Sequence, residues 1–514
     1  MNRWHKIRLF GVTVGVALWA WAAAAQDVVL TSRDGAITLE GTLLSYDGEF
    51  FRIESTYGAL TLDAQGVTCV GPGCPDLGAF IADIRLSGAA TMGTVLMPAL
   101  VESFGATRGL RLRRAVTDDA HFRYELSESA GDRLVARFHF RVSTTDEGFA
   151  DLLAEEADLA MALREARADE VERGQDAGLG DLSAPRRARV VALDGLVPVV
   201  ARGDGRRQIA VADMVDLLTG AVDAPVYLRD AASGVAQGMA QLLLPADAMV
   251  QATRLADNAA VADAVARRPG SFGIAVFSET GVAQALDVAG VCGRPIAASI
   301  ESLKTEDYPL ATPLLLYTPG RRLPLIGREF LQFIGTPVAQ AVIRRAGFVD
   351  QMPDRIPMAA QGRRLQNAVA AAGEEVTLAD LQDMLAALDG ADRLTTTFRF
   401  RDGATRMDAQ SEGNIERLAR DIEAGLHDGQ EVVLVGFSDG QGPAATNKQL
   451  SLRRAEATRA ALREEATLAD FSRLKLSATG FGEALPIGCD EDAWGRKVNR
   501  RVEVWIRDRV TDQR

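Results

Sequence analysis

The hydrophobic period changes along the chain, and that change constrains the fold more than any single motif. Residues 27 to about 75 alternate apolar and polar side chains. The stretches "DVVLTS", "AITLEGTLLSYD", "FFRIEST" and "ALTLDAQGVTCV" each turn one face inward, with hairpin signals at Asp34-Gly35 and Asp47-Gly48. From about 79 to 350 the strand-like stretches become continuous apolar runs, such as "ARVVALDGLVPVVA", "GSFGIAVFS" and "PLLLYTP". Runs of this kind are buried on both faces, as in α/β sheets. One core cannot serve both patterns, and 514 residues exceed what one core holds. The sequence therefore predicts a multidomain protein.

Between the apolar runs lie helical patterns. "TMGTVLMPALVESFGA" has helical spacing, and "VADMVDLLTG" and "REFLQFIGTPVAQAVIRRAG" read as amphipathic helices closed by Gly. "EADLAMAL" and "APVYLRD" add strands. These alternations make 79–352 an α/β domain large enough for two lobes. Residues 353–392 read as a helical connector of two short helices, the second capped by Thr377. Residues 393–508 alternate strand and helix, with strands "RLTTTFRF", "EVVLVGF" and "RLKLSATGFG", and end in the alternating strand "NRRVEVWIRD". That is a compact α/β sandwich. Residues 26–78 form a small all-β module.

The first 25 residues read as an export signal. Arg3, Lys6 and Arg8 precede the apolar run 9–25, and Ala23 and Ala25 fit a cleavage site after Ala25. An uncleaved anchor helix is the alternative. Cleavage removes three cations and no acid, so the charge goes from −13 to −16. A chain this acidic lacks the basic field of a general nucleic-acid binder. Export leads to an oxidising compartment, where Cys69 and Cys74, framing "CVGPGC", are expected to form a disulfide. Cys292 and Cys489 either pair between domains or stay as free thiols. With no second Cys pair and four His, no metal or other cofactor is expected. There is no nucleophile elbow, zinc spacing or phosphate-cradling P-loop, and His5, His121, His139 and His427 stand in no triad context. The expected activity is binding, not catalysis.

Several central stretches occur in a telling order. "LSGAATMGTVLMPALVESF" (86–104) is followed by "VVALDGLVPVVARGD" (190–204) and "IAVADMVDLLTGAV" (209–222). Then come "VYLRDAASGVAQGMAQLLLP" (226–245), "VADAVARRPGSFGIAVFS" (261–278), "YPLATPLLLYTPG" (308–320) and "FLQFIGTPVAQAVIRRAGFV" (330–349). In this order they resemble the periplasmic phosphate-binding proteins of ABC transporters, across about 270 residues. The resemblance implies a two-lobed fold holding phosphate or a related oxyanion between its lobes. An anion enclosed there needs donors that remain after water leaves: helix N-termini, short hydroxyls and a guanidinium. Carried over by motif position, the candidates are Ala90, Thr91, Ser143, Thr144, Thr145, Arg229, Ser233 and Gly234. An ordinary helix cap is the plain alternative for each hydroxyl. The chain departs from the family where an acid is expected (Leu163 or Arg164 stands near it), at Val235, where the family has Thr, and at Ala90.

The tail carries a second resemblance. Gly436-Phe437-Ser438-Asp439 is followed by Asn447, Leu450, Ser451, Arg454 and Ala455, then Gly480-Phe481-Gly482, then Asn499-Arg500-Arg501-Val502. This set closely resembles the OmpA-like peptidoglycan-binding domain. Phe437 stands where many members carry His, and Ala404 where Ser is common. Asn447, Ser451 and Arg454 share one helix face, and Asp439 ends a strand at the crevice where α/β sheets bind ligands. An acid and an Arg facing one crevice clamp an ammonium and a carboxylate on the same carbon, as the free end of diaminopimelate presents them. The resemblance implies peptidoglycan as partner, with Asp439, Asn447, Ser451, Arg454, Asn499, Arg500 and Arg501 at the site. The reading is a periplasmic protein held on the cell wall, on the outer-membrane side of the envelope. The alternative is a cell-wall-anchored scaffold whose central cleft docks a protein.

Overall fold

The computed structural model describes residues 27–231, 233–243, 248, 252–289, 295–400, 407–491 and 493–509. The stretch 1–25, read as an export signal, Cys292 and Ala404 lie outside them. Among the described residues no helix is long and apolar enough to cross a membrane. The chain divides into two compact units, 1–80 and 81–514.

The first unit is a five-stranded antiparallel sheet. Its order is Gly58–Asp63, Phe50–Ser55, Thr38–Tyr46, Asp27–Ser32 and Val67–Val70. The inward positions of the alternating pattern meet in one small core of Val28, Leu30, Phe51 and Ile53. Cys69 and Cys74 are disulfide-bonded, with Cα atoms 5.8 Å apart. Both hairpin glycines, Gly35 and Gly48, have positive φ (72° and 94°), which the turns require and glycine adopts without strain.

In the second unit, the central α/β part is organised by one strand, Ala188–Val200. Its first half, Ala188 to Gly195, pairs with Ala311–Tyr317, and its second half, Leu196 to Val200, pairs with Phe272–Val276. It therefore belongs to the sheets of both lobes and crosses between them at Gly195/Leu196. Asp194, buried at the crossing, accepts hydrogen bonds from Gly195 N and from Ser278 N and Oγ at 2.6–3.0 Å. Burial pushes its carboxyl up to about 6. One lobe continues through Leu159–Ala162 and Ala82–Ala89 to Leu134–Ser143, which runs parallel to Ala82–Ala89. The other adds Val226–Arg229 and Ala252–Leu255. A hairpin, Leu110–Val116 with His121–Glu128, extends the first sheet. Two expected helices differ in detail. "TMGTVLMPALVESFGA" opens with a π turn, Met92–Leu96, before the α-helix Met97–Thr107. "REFLQFIGTPVAQAVIRRAG" is two helices, Leu325–Ile334 and Pro337–Arg345. The break is at Gly335-Thr336, where Thr336 Oγ1 accepts from Ala339 N and Pro337 starts the new helix without an N–H to lose.

The C-terminal sheet has the order Arg355–Ile356, Asp392–Arg399, Arg501–Asp508, Gln430–Gly436, Lys475–Gly480. Helices Ala409–Glu423 and Ala444–Glu465 cover one face through Ile415, Leu418, Ala455 and Leu462. The stretch read as a connector covers the other. Helices Gly362–Ala371 and Leu378–Leu388 bury Ala368, Leu381, Met384 and Leu388 against Val433, Val435 and Trp505. Thr377 caps the second helix in a reciprocal box with Asp380. A short helix, Ala493–Asn499, was not legible as an element.

The central and C-terminal parts are joined by buried charge. Arg393 donates to Asp307 at 2.9 Å, and Arg399 donates to the main-chain oxygens of Thr305 and Glu306 at 3.2 and 2.8 Å. Ala409 N donates to Glu165 Oε1 at 2.9 Å. Behind Arg393, Glu503 is fully buried among Arg364, Arg393 and Arg501. Burial alone would raise its carboxyl, but the three guanidiniums hold it far below the ordinary value.

Candidate functional site

Two glycines build the C-terminal crevice. A Cβ on Gly436 would stand 1.9 Å from the main-chain O of Ser451, and one on Gly480 would stand 2.3 Å from Leu452 N. Only glycine lets helix Ala444–Glu465 lie this close over the ends of the two parallel strands. Ser451 locks the approach: its Oγ accepts from Gly482 N at 2.9 Å and donates to Lys448 O at 2.8 Å. The helix then carries Asn447 and Arg454 over the strand end that presents Asp439.

The seven motif residues fall into two groups. Asp439, Arg454 and Arg500 carry the charge of the crevice. Arg500 Nη1 donates to Asp439 Oδ2 at 2.8 Å, and Asp439 is 8% exposed. Arg454 is the residue that stands out. Its Nε and Nη1 are buried with no hydrogen-bond partner among the described residues. Burial draws its guanidinium below the ordinary value and Arg500 adds to this, while Asp439 opposes it. Its Cζ lies 6.0 Å from the ring centre of Phe400, a face-on cation contact. Two donors of Arg454 therefore stay free of any acceptor among the described residues.

Asn447, Ser451, Asn499 and Arg501 are internal braces. Asn447 donates weakly to Gly442 O at 3.4 Å and also bonds Glu483. Asn499 accepts from Ile487 N and Gly488 N and donates to Gly488 O and Asp490 Oδ1, closing the loop over the crevice. Arg501 points into the core, where it donates to Glu503 at 2.6 Å and Leu485 O at 2.8 Å and lies 4.4 Å from the Phe437 ring. Of the Arg500–Arg501 pair, Arg500 faces the crevice. Three further acids border it. Gly440 N donates to Asp490 Oδ2 at 2.8 Å. Glu483 is raised by burial, then by Asp490, Glu375 and Asp439. No motif spacing marked Glu483, Asp490 or Phe400 in the sequence. Cys489, on the same loop, is disulfide-bonded.

The central candidates also converge. Ser143 pairs with Ala89 across parallel strands. Leu163 N donates to Thr145 Oγ1 at 3.1 Å. A Cβ on Gly234 would stand 2.7 Å from Leu163 Cδ1 and 3.6 Å from Ala89 Cβ. Strand end, two helix N-termini and the Leu163 turn thus meet at one point. Most of the hydroxyls are already engaged. Thr144 caps helix Thr145–Leu153 in a box with Glu147, and Ser233 caps helix Gly234–Leu242 through Ala236 N at 3.1 Å. Ala90 and Thr91 begin the helical turn as expected, and Thr94 Oγ1 donates to Ala90 O. Ser143 Oγ and Arg229 Nε are buried without partners among the described residues. Leu163, apolar and 5% exposed, packs where Gly234 and Ala89 approach. Arg164 turns away to Glu170 and Asp146.

Residues 399–500 match the OmpA family. Over 96 residues, 19% of the chain, the sequence is 34% identical to outer membrane porin F of Pseudomonas fluorescens, spanning 28% of that protein. Over 107 residues it is 30% identical to the outer-membrane lipoprotein YfiB of Pseudomonas aeruginosa, spanning 60% of it. The chain thus covers less than two thirds of either relative. Among solved structures, an ABC-type phosphate transport receptor from Vibrio cholerae aligns over 52% of this chain and 99% of its own, at 16% identity and TM-score 0.39. The peptidoglycan-associated lipoprotein from Burkholderia pseudomallei aligns over 22% and 86%, at 20% identity and TM-score 0.19.

Proposed function

We propose that this protein is a non-enzymatic binding protein of the cell envelope that holds peptidoglycan through its C-terminal crevice. The reading rests on the buried Nε and Nη1 of Arg454, which have no acceptor among the described residues, beside the Asp439–Arg500 pair. A fixed guanidinium takes a carboxylate through two parallel N–H donors, while Asp439 takes the ammonium on the same carbon. The free end of diaminopimelate in a stem peptide offers both groups at that spacing. Outer-membrane relatives of the C-terminal part agree with an envelope location.

The test is calorimetry of the full chain with a soluble stem peptide ending in diaminopimelate. Amidating the free carboxylate, or replacing diaminopimelate by Lys, should each weaken binding at least tenfold. Equal affinity for all three peptides would refute the two-ended clamp.

For the central part, the first reading is a solute-binding cleft for phosphate or a related oxyanion, supported by the unpartnered Ser143 Oγ and Arg229 Nε. The packing of Leu163 against Gly234 and Ala89 favours the second, in which the cleft takes no small anion and the module docks a protein. Arg229→Ala separates them: loss of phosphate-induced stabilisation supports the first reading, and no effect supports the second.

A further inference from the structure

The seam between the central and C-terminal parts carries cations that neither reading uses. Arg189 stands on the lobe-crossing strand, and Arg417 and Arg420 stand on helix Ala409–Glu423, which packs against it. With Arg186 they line a recess of about 40 Å³, backed by Ile334 and Gln340. Two guanidiniums thus come from each side.

Four guanidiniums line the recess against two carboxylates, Glu412 and Glu416. Arg186 takes both Glu416, at 3.2 Å, and Glu465, at 2.6 Å. Arg417 makes one hydrogen bond, Nη2 to Asn414 Oδ1 at 2.8 Å, and Arg420 one, Nε to Glu416 O at 3.2 Å. Among the described residues Arg189, Arg417 and Arg420 form no ion pair, and the Arg189 side chain donates no hydrogen bond. A guanidinium has five N–H donors, so most donors of these three side chains have no protein acceptor among the described residues. Small residues keep them there: a Cβ on Gly335 would stand 3.1 Å from Arg420 Nη1, and one on Gly413 would stand 3.5 Å from both Nη atoms of Arg417. Burial pulls Arg417 down to about 10, with the repulsion of Arg420 next. Burial also lowers Arg189, with Glu416 opposing and Arg420 and Arg186 adding. Arg420 is exposed and Arg189 and Arg417 are half-buried, so an anion can reach all three guanidiniums and offset their mutual repulsion.

We propose that this recess binds a small multivalent oxyanion of the phosphate or sulfate class, which neutralises Arg189, Arg417 and Arg420 and ties the two modules together. The size agrees, since a water occupies roughly 10–15 Å³ by the same measure. The recess has room for a tetrahedral anion and none for a nucleotide.

The test is thermal unfolding of the full chain in inorganic phosphate against chloride at matched ionic strength. Phosphate at millimolar concentration should raise the wild-type Tm by about 2 °C or more. Arg417→Gln and the exposed Arg420→Gln should each lower that rise. In chloride Arg417→Gln should match or exceed the wild-type Tm, because it removes a repelled cation, which also shows that the variant folds. Arg229→Ala, which acts on the other cleft, should keep the part of the rise that the two Arg→Gln variants lose. No rise in the wild type, a full rise in either Arg→Gln variant, or a rise lost only in Arg229→Ala would overturn the proposal.

Discussion

The C-terminal crevice and the central anion loops are made of similar residues placed at similar points, where strands end and helices begin, yet they differ in what is left over. In the crevice, Ser451, Asn499 and Arg501 take up the structural work, and Arg454 Nε and Nη1 stay without an acceptor among the described residues. In the central loops, Thr144, Thr145 and Ser233 are spent on caps and a main-chain N–H, and Leu163 packs into the convergence. A site for a charged ligand is recognised by the polar groups the fold does not consume. Buried donors without partners are costly, so a fold that retains them keeps them for something.

The largest expected effect lies beneath the crevice. Glu503→Ala leaves Arg364, Arg393 and Arg501 buried without their shared carboxylate, and should cost about 3–5 kcal/mol in denaturant unfolding. A cost below ~1 kcal/mol would break the claim that paired charge supports the crevice. Next is Glu306, 18% exposed in its side chain at the seam. Burial, then Asp408, pushes its carboxyl up to about 8 from an ordinary value of 4.5. The folded state keeps this proton where the unfolded chain has lost it. Its contribution to stability is therefore complete below about pH 4.5 and is lost as pH rises to about 8. Glu306→Gln should flatten that part of the Tm–pH curve, by an amount on the order of a few kcal/mol. An unchanged slope would show that the carboxyl titrates normally.

In the central loops the effects are smaller and concern stability alone. Thr145→Val strips the buried N–H of Leu163 of its acceptor and should cost about 1–3 kcal/mol. Thr144→Ala removes a cap and should cost about 1 kcal/mol. If either variant instead kept its stability and lost phosphate binding, the contrast between the two regions would fail.

Much of this organisation was legible in sequence because it is periodic or depends on close approach. The change of hydrophobic period marked off the β module, and the unbroken run of Ala188–Val200 reflects a strand buried in both lobes. The motif glycines Gly436 and Gly480 were visible, and the contact with Ser451 and Leu452 explains them. The direction of individual side chains was not legible. Arg501 opens the last strand and Arg500 stands just before it, and only their contacts show that Arg501 enters the core while Arg500 meets Asp439. The stretch 353–392 looked like a connector because its apolar residues are sparse, but those few cover the second face of the sheet. Phe400, Glu483 and Asp490 reach the crevice from three separate segments, and no spacing rule joins them.

The most direct measurement is retention of the protein by purified cell-wall sacculi, comparing wild type, Asp439→Ala and Arg454→Ala, with unfolding curves on each. Arg454→Ala removes a cation whose Nε and Nη1 have no acceptor among the described residues, so the variant should stay folded, and retention should fall at least 100-fold for both variants (about 2.7 kcal/mol or more). Undiminished retention by both folded variants would contradict the account.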